Sequence, residues 1–175
     1  MGVIRYSGIG SRETPDNVLV VMEKLGAAFA KKGFVLRSGG AEGADSAFER
    51  GCDAGGGKKE IYLPWKGFNG NNSDLYNLCD EAFQIAWDFH PNLYGTTGGT
   101  QKLMARNTYQ VLGLDCKTKA DFIACYCPLD KKGNWRGGTS QALRIAKSYN
   151  IPIFNLLSKE DLDQLKNFVN QLSTI

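Results

Sequence analysis

Three glycine-rich segments hold the groups with which this chain could bind an anion: Tyr6-Ser7-Gly8-Ile9-Gly10-Ser11-Arg12, Leu36-Arg37-Ser38-Gly39-Gly40-Ala41-Glu42-Gly43-Ala44-Asp45 and Trp135-Arg136-Gly137-Gly138-Thr139-Ser140-Gln141. Each follows an apolar run and precedes a helix-period stretch. Glycine permits positive φ and close ligand approach, and the helix that follows offers unpaired N–H groups and the positive end of its dipole to a phosphate. One such loop usually does no more than turn the chain. Three of them, all at strand-to-helix junctions, point to a phosphorylated, nucleotide-type ligand.

Several side chains in or near these loops suit that ligand. Arg12, Arg37 and Arg106 are candidates for bidentate phosphate contacts, Arg12 foremost because it lies in the first loop. Glu42 is a candidate base or ribose ligand, with a solvated loop residue as the alternative, and Asp45 is a candidate carboxylate whose alternative is capping its own helix. The five cysteines at 52, 79, 116, 125 and 127 form no CxxC pair, and the single His90 completes no Cys/His set with zinc spacing. We therefore expect no disulfide, no structural metal and no cofactor. Cys125 and Cys127 read as small buried hydrophobes on one strand face, and His90 as a local structural residue.

The elements that must position these residues are short. Apolar runs at 3–7, 34–37, 60–64, 122–127 and 151–155 read as strands. A helix pattern over 18–29 is led by Thr14 as N-cap with Pro15 at the first helical position, and is stopped by Gly33. Further helices are expected at 46–52, 74–86, 101–112, 140–149 and 159–172, the last within an amphipathic stretch over 158–175. This alternation predicts an α/β, Rossmann-like open and mostly parallel sheet with helices on both faces, in which all three glycine-rich junctions share the carboxyl edge.

The chain, residues 1–175, is expected to be a single domain with a loop-rich insertion at about 65–99. Most of the insertion's aromatics (Trp65, Phe68, Tyr76, Phe83, Trp87, Phe89, Tyr94) are expected to pack inward. No signal peptide opens the chain and no apolar run is long enough for a membrane span, so no membrane partner and a cytoplasmic setting are expected. A net charge of +3, spread without blocks, permits nucleic-acid binding but does not indicate it.

Taken together, these segments resemble the SLOG superfamily of Rossmann-like proteins, which includes the DNA-processing protein A domain and the LOG-type nucleotide phosphoribohydrolases. Ser7-Gly8-Ile9-Gly10-Ser11-Arg12 is similar to the family's first loop, and Ser38-Gly39-Gly40-Ala41-Glu42-Gly43-Ala44-Asp45 to its SGGAxGxD loop. Ala105-Arg106-Asn107, followed by Leu112-Gly113, resembles the RN helix of DNA-processing protein A, and Gly137-Gly138-Thr139-Ser140-Gln141-Ala142 the last glycine-rich loop. The likeness spans about residues 3–155, with 65–99 unmatched. It implies a pocket for a phosphorylated ribose or nucleotide, with Gly39, Gly40, Gly138, Thr139 and Ser140 around phosphate. The full expected binding set is Gly8, Gly10, Ser11, Arg12, Ser38, Gly39, Gly40, Gly43, Asp45, Arg106, Asn107, Gly137, Gly138, Thr139 and Ser140. The resemblance also implies a homo-oligomer.

LOG-type enzymes carry a PGGxGTxxE pattern whose glutamate assists N-glycosidic cleavage, and alignment on Gly138-Thr139 puts Ala142 at that glutamate. Alanine can neither accept a proton nor stabilise a ribosyl cation. The expectation is therefore binding of a nucleotide or an ADP-ribose-like, or cyclic, nucleotide by a sensor or sequestering protein. The alternatives are a LOG-like hydrolase using Glu42, Asp45 or Glu13, and a single-stranded-DNA-binding recombination mediator like DNA-processing protein A.

Overall fold

The computed structural model describes residues 2–172. Its sheet contains β1 (Arg5–Gly10), β2 (Val35–Ser38), β3 (Lys58–Ile61), β4 (Phe122–Tyr126) and β5 (Ile153–Asn155), all parallel, in the order β3-β2-β1-β4-β5. The helices are α1 (Asp16–Lys31), α2 (Ala44–Ala54), α3 (Asp80–Asp88), α4 (Gly98–Leu112), α5 (Thr139–Ser148) and α6 (Lys159–Leu172). This is the expected α/β Rossmann-like architecture.

Alternation along the strands divides the core between two faces. Tyr6, Leu36, Phe122 and Phe154 point to the face covered by α1, α2 and α6. There the Tyr6 ring stacks on Phe122 at 5.6 Å and meets Phe29 of α1 edge-on at 4.9 Å. Ile9, Ile123 and Cys125 point to the opposite face, under α4 and α5, where Cys127 is also buried. Helix α4 is itself roofed by α3, which leaves every residue from Met104 to Leu112 buried.

Several boundaries differ from the sequence expectation. Strand β1 runs on through Gly10, because its register with β4 pairs Gly8 with Ala124 and Gly10 with Tyr126. Thr14 is not the N-cap of α1. Its hydroxyl donates to the Ser11 carbonyl (2.6 Å), and Pro15 takes the cap position, accepting from Val18 and Leu19. The helix expected over 74–86 begins only at Asp80, because the chain before it is held extended: the Leu63 amide donates to the Leu75 carbonyl (2.8 Å) and the Ser73 hydroxyl to the Ile61 carbonyl (2.6 Å). Helix α4 starts three residues early, at Gly98, where the Thr97 hydroxyl accepts from the Thr100 amide. Of the amphipathic stretch over 158–175, residues 173–175 lie outside the described residues.

Within the 65–99 insertion, Phe68 is buried and Tyr76, Phe83, Trp87 and Phe89 are half-buried, whereas Trp65 and Tyr94 are exposed. Among the described residues, no helix is long and apolar enough to cross a membrane.

Candidate functional site

The chain leaves β1 toward β2 and β3 and then crosses to β4 on the other side of β1. The connections therefore diverge between β1 and β4, and a crevice opens outside the carboxyl ends of these two strands. A cleft of about 590 Å³ occupies it. One wall is Gly10-Ser11-Arg12-Glu13, the other is Arg136-Gly137-Gly138-Thr139 with Ala142, and Asp45 and the α4 side chains Arg106, Asn107 and Gln110 also line it.

The carboxylate of Asp45 is buried in the first turn of α2. It accepts a hydrogen bond from the backbone amide of Ala41 (3.3 Å), and the backbone of Gly10 and Gly39 also favours its charged form. The glycine loops thus build an anion-binding concavity, and the chain fills it with its own carboxylate. Burial raises Asp45 to about 6, against the opposing pull of Arg106 and of these backbone groups. Arg106 is also buried. Desolvation brings it down to about 10, partly offset by Asp45 and reinforced by Arg12. Its guanidinium donates to the Gly39 and Tyr62 carbonyls and to Asn107 Oδ1, and lies 5.6 Å from the centroid of the Phe68 ring.

Asn107 ties α4 to the third loop by donating to the Gly138 carbonyl (3.3 Å) and to Gln141 Oε1 (3.1 Å). Gly137 adopts φ 82°, the left-handed region that glycine tolerates, and this turn leads into α5. The start of α5, at Gly138-Thr139, consequently faces the cleft.

Of the residues expected from sequence, Gly10, Ser11, Arg12, Asp45, Arg106, Asn107, Gly137, Gly138 and Thr139 come together around the cleft. The others stand behind it or beside it. Gly8 lies inside β1 and its carbonyl accepts from the buried Ser38 hydroxyl (2.6 Å). Gly39 anchors Arg106, and Gly40 turns the chain against Leu63. Gly43 adopts φ 81° where a Cβ would meet the Ser11 and Arg12 carbonyl oxygens at 2.8 Å. Ser140 donates to the Gly137 carbonyl (2.6 Å), and Glu42 is exposed outside the cleft lining. Arg37 is buried, bonded to Glu60 (2.6 Å) and to the Thr118 carbonyl (2.5 Å), so it is a packing residue. His90 accepts from the Asn92 amide (3.2 Å).

Two polar lining residues, Arg136 and Gln110, were not singled out from sequence. Arg136 is exposed in the third glycine-rich loop, and its signal is its place directly before Gly137-Gly138. Gln110 follows Arg106 by four residues, the spacing that puts both on one helix face.

No protein-family model and no curated protein matches this sequence. Solved structures do. DNA processing protein A from Helicobacter pylori, described for its single-stranded DNA binding mode, is 19% identical, with 97% of this chain and 80% of that one covered and a TM-score of 0.57. The molybdenum cofactor binding protein from the phototrophic bacterium Rippkaea orientalis is 22% identical, covering 95% and 86%, also with a TM-score of 0.57. The molybdenum cofactor carrier protein from Chlamydomonas reinhardtii is 17% identical, covering 95% and 85%, with a TM-score of 0.52. At these identities the likeness is one of fold, and the chain has the Rossmann-like α/β fold that these proteins share.

Proposed function

We propose that this chain binds a phosphorylated, nucleotide-type small molecule in the cleft between β1 and β4, as a sequestering or sensing protein. The observation that carries the reading is the chemical asymmetry of the cleft. One end presents the start of α5 with Arg12 and Arg136 nearby, a combination suited to phosphate, whereas Asp45 already occupies the other backbone concavity. Phosphate would therefore sit against Gly138-Thr139, and Asp45 would accept a hydrogen bond from a hydroxyl or amino group on the rest of the ligand. That two neighbours of this fold hold a small-molecule cofactor supports occupancy of the cleft by a small molecule. Calorimetry with nucleoside mono-, di- and cyclic phosphates and ADP-ribose tests it. Heat from at least one class, abolished in an Arg12→Ala, Arg136→Ala double variant, is expected. No heat from any class at high micromolar protein overturns the proposal.

A second reading, hydrolysis of the ligand's N-glycosidic bond, draws on the raised Asp45. Ala142 is buried in the cleft wall, and the carboxylates lining the cleft are Asp45 and Glu13, not Glu42. Chromatography for free base after incubation with nucleoside monophosphates decides between holding and turnover. The single-stranded-DNA reading, which rests on the fold of the Helicobacter pylori protein, predicts a salt-sensitive gel shift.

A further inference from the structure

Away from the cleft, α3 and α4 bring two cysteines together that are 37 residues apart in sequence, Cys79 directly before α3 and Cys116 in the turn after α4. Both are free thiols, Cys79 exposed and Cys116 only 3% exposed. Tyr109 of α4 stands between the two elements and fixes the arrangement. Its hydroxyl oxygen accepts from the Cys79 backbone amide (2.9 Å), and its ring belongs to the same packed cluster as Cys116. The Thr108 hydroxyl of α4 donates to the Ala82 carbonyl of α3 (3.1 Å), which holds the start of α3 against the end of α4, so that Cys116, the Tyr109 hydroxyl and the first amides of α3 all act on the Cys79 thiol.

We infer that Cys79 and Cys116 form a peroxide-reactive dithiol, in which Cys79 is the attacking sulfur, Cys116 the resolving one, and the product an intramolecular disulfide joining the start of α3 to the end of α4. The surroundings divide the two roles. Cys79 reaches solvent, and although partial burial opposes ionisation, the Tyr109 hydroxyl, the helix-start amides and Cys116 bring its thiol below the usual value. Burial and the neighbouring Cys79 push Cys116 up to about 12, so it stays protonated and in reserve.

In the first step the Cys79 thiolate attacks a peroxide oxygen. An S–O bond forms, the O–O bond breaks, and hydroxide leaves; sulfur is oxidised by two electrons and the peroxide reduced. In the second, the Cys116 sulfur attacks the sulfenic sulfur of Cys79. An S–S bond forms, the S–O bond breaks, and the departing hydroxide takes the Cys116 proton as water. The remaining cysteines, Cys52, Cys125 and Cys127, are all buried, with thiols raised by desolvation, and are expected to stay inert. The bond would stitch together the two ends of the hairpin whose second helix carries Arg106 and Asn107 to the cleft.

The test is a hydrogen peroxide titration of the reduced full chain, followed by denaturing alkylation and intact mass. Alkylation is expected to fall from five sites to three, with one Cys79–Cys116 cross-linked peptide and full reversal by dithiothreitol. In Cys116→Ala the cross-link is lost and a dimedone adduct accumulates on Cys79. In Cys79→Ser, a surface change that leaves the fold intact, both the cross-link and the adduct disappear. Adducts at Cys79 with no cross-link in the unsubstituted chain, equal dimedone uptake with and without Cys116, or a cross-link between molecules would overturn the proposal.

Discussion

The Arg106 guanidinium is anchored on the carbonyl oxygen of Gly39, not on the carboxylate of Asp45, and the two buried charges act on each other through space. Neither desolvation cost is cancelled by a closed ion pair, so Asp45 stays near its protonation point while Arg106 stays cationic. A carboxylate in this condition favours binding over stability, since a ligand donor beside it recovers what burial has cost.

That cost is measurable. Asp45 has a folded value of about 6 against an ordinary 3.8, so its protonated form is favoured by folding. Its contribution is fully present below pH about 4 and is lost as pH rises through about 6. By linkage, ionised Asp45 then lowers stability by about 3 kcal/mol. Asp45→Asn, which can still accept from the Ala41 amide, is expected to raise stability by about 2–3 kcal/mol at pH about 8 and by almost nothing at pH about 4. Urea unfolding at both pH values checks this, and an equal gain at both would contradict the origin assigned to the shift.

Removing the cation has the opposite sign. Arg106→Met strips the Gly39 carbonyl and Asn107 Oδ1 of a donor and leaves Asp45 without its countercharge. A loss of about 3–5 kcal/mol is expected in denaturant unfolding. Adding Asp45→Asn should recover part of it, with a coupling of about 0.5–3 kcal/mol in the double-mutant cycle.

Two glycines separate backbone strain from ligand access. Gly43→Ala must hold φ 81° with its Cβ against two carbonyl oxygens, so a loss above about 2 kcal/mol is expected. Gly138→Ala adopts φ −61° and meets only Met104 Cε, at 3.5 Å. Its thermal midpoint should barely move, a change within about 0.5 kcal/mol, while its methyl group covers the start of α5 and weakens nucleotide binding in calorimetry.

Arg12 and Arg136 are exposed at the cleft. Changing either to alanine should leave stability within about 0.5 kcal/mol. Each lost charge-assisted phosphate contact, about 1.5–3 kcal/mol, should weaken nucleotide affinity roughly tenfold to a hundredfold. Unaltered affinity in both variants would move the phosphate away from α5.

The sequence by itself determined the architecture and the edge of the sheet at which to look. Short apolar runs, helix periods and glycine-rich junctions are local signals, and every expected strand and helix has a counterpart in the fold. Element ends were less legible: Gly8 and Gly10 read as loop residues until pairing with β4 drew them into β1, and the residues before Asp80 carry a helix pattern that the contacts of Ser73 and Leu75 override. The tertiary structure alone decided which charged residues line the cleft. Arg12, Arg37 and Arg106 are alike as residues, yet one lies exposed at the cleft, one is bonded to Glu60, and one is buried beside Phe68. It also decided that Asp45 fills the concavity its own loops create and that Cys79 meets Cys116. These outcomes depend on desolvation and on distances between segments far apart in the chain, and both exist only once the sheet and its helices have packed.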